Sequence, residues 1–138
     1  MSIQAIITQI AAIQKTITGI NNAYDESPDS ISDLPCFLNS PSSGDIERGA
    51  SWRETKHIIK MQLFVERGGD LASGENRLRP FLKLTVDKFD VNLRLNGAAD
   101  RSGITHYDYG VLEYAGTSYL GISFDIAVWE YEGFAFAA

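Results

Sequence analysis

The sequence predicts an α+β fold: a mostly antiparallel, twisted sheet of about four strands, with two helices packed on one face. Two observations favour it. Isoleucines recur every three or four residues near the N-terminus, which is the spacing of one helical stripe, and apolar residues alternate with polar ones in two later segments, which is the period of a strand. The chain has 138 residues and no internal repeat, so we expect a single domain over residues 1–138.

The first predicted helix runs from Ser2 to Ile20. Its stripe consists of isoleucines at helical spacing: Ile3, Ile6, Ile7, Ile10, Ile13, Ile17 and Ile20. Because isoleucine is only a middling helix former, packing of this stripe must hold the helix in place. Ser2 is a candidate N-cap, and Asn21-Asn22 is a candidate end.

Polar segments surround a short apolar run in the next part of the chain. Residues 25–32 contain a proline and are typical of a turn. The run from Leu34 to Leu38 predicts a short strand, with Pro35 at an edge or first position because proline has no N–H to donate. Residues at about 39–50 are polar, so we predict a loop that is mobile in the isolated subunit and ordered by a neighbour.

A central strand is predicted from Trp52. Its apolar face consists of alternate residues: His57, Ile59, Met61, Leu63 and Val65. Gly68-Gly69 ends the strand, and Asp70 is a candidate cap for the element that follows.

Residues 71–95 fit two patterns. Leucine, valine and phenylalanine keep a helical stripe from Leu71 to Leu93, while residues 89–95 also alternate like a strand. Proline costs ~3 kcal/mol inside a helix but almost nothing in the first turn. We therefore predict a second helix that is established after Pro80 and ends near Asn92, with a strand over 89–95 as the open alternative. Asn96-Gly97 predicts a turn in either case.

The last third predicts a β-hairpin that turns at Ala115-Gly116. In the second strand, one apolar face is formed by Leu120, Ile122, Phe124, Ile126 and Val128. We expect this face to meet the apolar face of the central strand beneath the first helix. An apolar tail over residues 133–138 follows.

Composition excludes several classes of function. The net charge of −6 argues against binding to nucleic acid or to an anionic membrane surface. No stretch approaches the ~20 apolar residues that span a bilayer, and residues 1–20 lack the basic start of a signal peptide. Cys36 is the single cysteine, which excludes an intrachain disulfide and fits a reducing cytoplasm.

We find no pattern that predicts catalysis, a metal or a cofactor. His57 and His106 are far apart, and neither has a histidine or cysteine three or four residues away. Gly68-Gly69 is not part of a phosphate-binding glycine motif, and no GxSxG turn marks a nucleophile. We therefore expect a protein that is not an enzyme and has no catalytic, cofactor-binding or metal-binding residues.

Aromatic residues crowd the C-terminal hairpin and its tail, and several are predicted to lie on the outer, non-core face. Cross-strand packing explains part of this enrichment. Tyrosine and tryptophan are also enriched in protein interfaces, and phenylalanines near a chain end are poorly placed unless a partner covers them. The candidate subunit or partner interface consists of Tyr107, Tyr109, Tyr119, Trp129, Phe134 and Phe136.

The hairpin sequence resembles the terminal hairpin of tail terminator or tail completion (neck) proteins of long-tailed bacteriophages. The matching segments are RSGITHYDYGVL at residues 101–112 and YLGISFDI at residues 119–126. The N-terminal helix, the turn at 23–28 and the segment at 78–81 fall in matching order, so the resemblance covers most of the chain.

The resemblance implies a structural virion protein that forms a ring, commonly of six copies, at the head-proximal end of the tail. Such a ring ends polymerisation of the tail tube and joins the tail to the head connector or stopper protein. It is assembled in the bacterial host cytoplasm, has no cofactor, and lets DNA pass through its lumen without specific binding. A head–tail adaptor or stopper of the phage neck is the alternative. A small-molecule-binding domain or enzyme, using a cleft between helices and sheet, is a rival from another class.

Overall fold

A five-stranded sheet organises the computed structural model, which describes residues 3–66 and 71–134. The elements in chain order are α1 (Ile3–Gln14), β1 (Asn22–Tyr24), β2 (Cys36–Arg48), β3 (Trp52–Val65), α2 (Leu71–Asp90), a 3-10 turn (Leu95–Gly97), β4 (Arg101–Tyr114) and β5 (Thr117–Gly133). The strand order is β1-β2-β3-β5-β4. β1 and β2 are parallel, and the other neighbouring pairs are antiparallel. The predicted α+β class is therefore confirmed. The sheet is mixed and has five strands, whereas a mostly antiparallel sheet of about four strands was predicted.

The main core lies on one face of the sheet, which we call the helix face. The predicted stripe of α1 is confirmed, since Ile6, Ile10 and Ile13 are buried there. The predicted faces of the two long strands are also confirmed by burial of Ile59, Met61, Leu63, Val65, Leu120, Ile122, Phe124, Ile126 and Val128. Packing of these three apolar faces against one another is the main stabilising contact of the fold.

α1 ends at Gln14, six residues before the predicted end, although Ile17 remains buried in the core. The side chain of Gln14 is itself buried, where its amide exchanges two hydrogen bonds of 2.7 Å with the amide of Asn39 on β2. The backbone N–H of Thr16 bonds to the carbonyl of Ile13 and so tightens the chain into turns. The predicted cap, Ser2, lies outside the described residues.

The start predicted for the second helix is wrong. α2 begins at Leu71, nine residues before Pro80, whose side chain is exposed. Leu78 before the proline and Phe89 after it are both buried in the core, so packing on either side offsets the hydrogen bond that proline removes. The helix ends at Asp90, which excludes a strand over 89–95. Residues 67–70, which include the predicted strand stop and cap, lie outside the described residues.

The loop predicted at about 39–50 is also wrong, because β2 continues as a strand as far as Arg48. It pairs with β3 out to the partners Arg48 and Arg53, and β3 pairs with β5 out to Gly133. These strand ends, residues 43–58 and 127–133, extend the sheet and are called the arm below. In β2 all residues of the arm are exposed, so backbone pairing rather than burial holds them in place.

The C-terminal hairpin is confirmed, and its turn has the geometry that antiparallel strands prefer. Ala115 and Gly116 both have positive φ angles, of 50° and 81°. Two successive positive φ values define a type I′ turn, whose twist matches that of the flanking strands.

A smaller apolar cluster covers the opposite face of the sheet, called the outer face, near the turn between β4 and β5. It consists of Cys36, Leu38, Phe64 and Tyr119, with partly buried neighbours that include Ile31 and Leu34 from the segment between β1 and β2. Both faces of the sheet are thus covered at one end.

Candidate assembly surface

An exposed apolar strip lies on the edge strand β4. It consists of Tyr107, Tyr109 and Val111, whose exposed fractions are 46%, 48% and 51%. The two tyrosine rings pack edge to face, with their centroids 5.6 Å apart. The β4 strip, as we call these three residues, is a continuous apolar surface of the kind that protein partners cover.

The β4 strip lies on the helix face, and not on the outer face as predicted. Tyr107, Tyr109 and Val111 pair with Phe124, Ile122 and Leu120 of β5, and directly paired residues point to the same side of a sheet. The sequence did not settle this, because a β-bulge between Ile104 and His106 changes the alternation along β4.

A groove of about 510 Å³ separates the strip from α2. It is lined by Glu75, Leu78, Arg79, Tyr109, Gly110 and Leu120. Leu78 and Leu120 form its apolar floor, while the Arg79 guanidinium lies 3.6 Å from the Glu75 carboxylate. Both of these charged side chains are more than half exposed, so the groove combines an apolar floor with one solvent-exposed ion pair.

Tyr119 is on the outer face but is buried, with only 8% of its surface exposed. Its ring packs edge to face against Phe64, with centroids 5.4 Å apart. Tyr119 therefore belongs to the smaller apolar cluster, and it is not placed to contact a partner in this structure.

Trp129 is also on the outer face, where two cations cover its ring. The Arg101 guanidinium lies 4.2 Å and the Lys56 ammonium 5.5 Å from the ring centroid. These two cation–π contacts cover much of the ring within the subunit. The Arg101 side chain is largely exposed, and its guanidinium lies 3.9 Å from the Glu54 carboxylate on β3.

Phe134 lies at the tip of the arm, where its N–H donates a 2.8 Å hydrogen bond to the carbonyl of Ser51. Its side chain is 43% exposed. Phe136 lies outside the described residues. The six candidate interface residues therefore do not share one surface: Tyr107 and Tyr109 form a strip on the helix face, and the other described ones lie on the outer face or at the arm tip.

Sequence reasoning missed the acidic residues of the arm, because it assigned them to a loop. Asp45 and Glu47 lie on β2, on the outer face, two residues apart. Asp45, Lys56, Trp129 and Arg101 are successive cross-strand partners and form one row across β2, β3, β5 and β4. This row begins with Asp45 on one edge strand and ends with Arg101 on the other, and the Arg101 guanidinium reaches back over Trp129 towards Glu54 on β3.

Both histidines of the chain lie beside a carboxylate. His57 Nε2 lies 2.7 Å from Glu130 Oε1 on the helix face, and His106 Nε2 lies 2.9 Å from Asp108 Oδ2 on β4. Within this part of the chain, no group of three or more His, Cys, Asp or Glu residues is positioned to hold a metal ion. Burial, with a smaller effect of the Asp33 carboxylate, raises the pKa of the Cys36 thiol to about 12, so at neutral pH it is protonated.

Comparison with known proteins adds no relative, since no protein-family model and no curated protein matches the chain. Neither α1 nor α2 is long and apolar enough to cross a membrane, and residues 3–66 and 71–134 contain no other helix that is.

Proposed function

We propose that this protein is a structural subunit of a long-tailed phage, which assembles with copies of itself into a ring at the head-proximal end of the tail. In this role the ring ends polymerisation of the tail tube and joins the tail to the head connector. The resemblance of residues 101–126 to tail terminator hairpins supports the phage role. The exposed β4 strip supports assembly, and it is the observation on which the proposal chiefly depends.

The β4 strip is better explained by a protein partner than by the fold of one subunit. The apolar face of β5 continues onto β4 as Tyr107, Tyr109 and Val111, yet about half of the surface of each of these residues is exposed to water. Covering apolar surface contributes roughly 25 cal/mol per Å², and a stable interface buries on the order of 1,000 Å² or more. Tyrosines that are centrally placed in such interfaces often supply much of the binding energy.

The groove beside the strip also fits a protein partner better than a small polar ligand. Its volume is within the range of ligand pockets, roughly 300–1,000 Å³. However, such pockets present a few convergent polar groups to their ligand. Here the only charged groups among the described lining residues are the solvent-exposed pair Glu75 and Arg79, which lie on the same helix, and the rest of the described lining is two leucines, a glycine and Tyr109.

The acidic charge of the chain is compatible with a ring through which DNA passes. A net charge of −6 per copy disfavours adhesion of DNA phosphates to the protein. The same charge opposes association between copies, so we expect assembly to be favoured as salt screens the repulsion.

Growth of the tail tube provides a direct test of this function. Tail tube protein from the same phage would be polymerised with increasing amounts of this protein, and tube length would be measured by negative-stain electron microscopy. We expect shorter tubes, each closed at one end by a ring. A variant with Tyr107→Ser and Tyr109→Ser should lose this effect. Leu84→Ala is the matched control, because Leu84 is 41% exposed on α2 and does not line the groove beside the strip.

Tubes whose length does not respond to the protein would contradict the proposal. If wild type and the double tyrosine variant shortened the tubes equally, the protein would end tube growth, but the β4 strip would not be needed for it.

A further inference from the structure

Two edges of the sheet are open in the described part of the chain. Residues 39–48 follow the three residues of β2 that pair with β1, and no described strand pairs with the edge of this segment that points away from β3. Likewise, no described strand pairs with the edge of β4 that points away from β5. An open edge presents unpaired N–H and C=O groups, to which another strand can add.

The two open edges carry one pair of opposite charges at the same level of the outer face. On this face the arm of β2 presents the carboxylates of Asp45 and Glu47. At the same level β4 has Arg101, whose guanidinium lies over Trp129 and 3.9 Å from the Glu54 carboxylate, and further along it has Asp108. Asp45 and Arg101 end the same cross-strand row. If the sheet of one copy continued into the next without a shift of register, Arg101 of one copy would lie beside Asp45 of its neighbour.

Strand direction is also compatible with such a continuation. β2 is antiparallel to β3, β3 to β5, and β5 to β4, so β2 and β4 run in opposite directions. A rotation about an axis along the strands keeps each strand's direction from copy to copy. β4 of one copy therefore meets β2 of the next as an antiparallel pair, which forms the regular ladder of hydrogen bonds.

We propose that copies of this chain join head to tail through these edges, with the β2 edge in the arm of one copy against the β4 edge of the next, so that one sheet continues around the assembly. This inference rests on the proposed function in one respect, namely that the protein assembles with itself. A contact between two unlike edges is heterologous, and such contacts generate rings when the rotation closes. In this register Tyr107 is level with Asn39, at the end of the open part of β2, where the neighbouring copy can cover it. Tyr109 is level with Phe37, where β1 occupies the edge, so the ladder between copies ends at Tyr107.

Symmetric contacts between like edges are less compatible with these charges. Two β2 edges would bring the Asp45 and Glu47 carboxylates of both copies together, and like charges across a strand pair are destabilising. Two β4 edges would form a closed dimer and leave both β2 edges open, so this contact alone cannot build a ring. Pro41 and the bulge after it further limit pairing of β2 to its arm segment.

Disulfide trapping between two marked chains distinguishes these arrangements. Ser43→Cys and Gly103→Cys place thiols on the outer face of the two edges, in a row next to that of Asp45 and Arg101, whose charges are kept. Gly103 has open space where a Cβ would be added, and native Cys36 is buried. The two variants, of different mass, would be mixed, checked for assembly by mass measurement, and then oxidised.

We expect cross-linked dimers that contain one chain of each kind, and few dimers of like chains. Lys83→Cys, at a highly exposed site on α2, is the matched control and should not cross-link to Ser43→Cys. If a shift of register placed these thiols too far apart to cross-link, His106→Cys and Asp108→Cys would test the next outer-face positions of β4.

Three results would overturn the inference. Dimers of Gly103→Cys with itself would assign the contact to two β4 edges. Assembly without cross-links at any of these positions would place the contact elsewhere, while leaving the proposed function intact. Absence of assembly would remove the proposed function and this inference together.

Discussion

Truncation of Phe124 tests whether the helix face is the face on which the fold depends. Phe124 is fully buried at the centre of β5, between its cross-strand partners Met61 and Tyr107. Its ring centroid lies 6.4 Å from that of Phe37 on β2. Phe124→Ala would therefore remove contacts that join the strands to one another and to the helices above them.

The expected cost is large compared with the stability of a domain. Replacing a buried phenylalanine by alanine costs ~3–5 kcal/mol, because transfer free energy is lost and a cavity remains. For 138 residues the entropy of unfolding is about 0.3 kcal/mol per kelvin, so Tm should fall by ~10–17 °C. The assay is urea and thermal unfolding followed by circular dichroism, at a concentration where the subunit is monomeric, since assembly would add stability.

Tyr107→Ala is the matched control for this experiment. Tyr107 is the cross-strand partner of Phe124 on the same face, but it is 46% exposed. Its truncation should cost ~1 kcal/mol or less, as is usual for exposed positions. If Phe124→Ala had wild-type stability, or if the two variants lost equal stability, the face assignment of β5 would be wrong by one residue.

Four further outcomes follow from single features of the structure. Asn39→Leu should lower the free energy of unfolding by ~1–3 kcal/mol in a urea titration, because it leaves the buried amide of Gln14 unpaired. The double variant with Gln14→Leu should recover part of this loss. A double variant that recovers none of it would contradict the pairing. Cys36 should not react with a thiol reagent at pH 8 until the protein unfolds, given its burial and a pKa of about 12; rapid reaction of the folded protein would contradict this. Gly116→Ala should cost ~1–2 kcal/mol because of the positive φ, measured by thermal unfolding, and a neutral result would exclude the type I′ turn. In the isolated subunit, hydrogen exchange over residues 43–48 should be slow at the amides bonded to β3 and fast at the amides that face the open edge. Assembly should slow exchange at the latter. Uniformly fast exchange in both states would mean that this segment is a loop.

The elements that were predicted correctly are those whose burial has a clear period. The isoleucines of α1 and the alternating residues of β3 and β5 supply most of the main core, so sequence spacing determines which side chains enter it, whereas Phe64 and Tyr119 are buried on the outer face near the hairpin turn. Their positions required no knowledge of the partner strands.

The elements that could not be predicted depend on contacts distant in sequence. The arm segment of β2 is exposed on both faces, so its sequence has no apolar alternation, and it is a strand because β3 returns beside it. β1 has only three residues and is held by parallel pairing with Cys36–Leu38. Pro80 lies within α2 because the buried residues on both sides stabilise the helix more than proline weakens it.

The candidate surface shows the same division. The tyrosines of β4 were recognised as interface candidates from composition, but a bulge determines their face. Asp45 and Glu47 were not recognised, because the sequence assigned them to a loop, and the position of Asp45 in one row with Arg101 is set by the pairing of four strands.

Mass measurement in solution tests most directly the central claim that this chain assembles with copies of itself into a closed ring. Native mass spectrometry and sedimentation would be recorded at rising protein concentration and at two or more salt concentrations. We expect one closed species of defined copy number, favoured by concentration and by salt, that does not grow further. A chain that remains monomeric under all these conditions, with and without the tail tube protein, would contradict the claim, and so would an open polymer of continuously increasing mass.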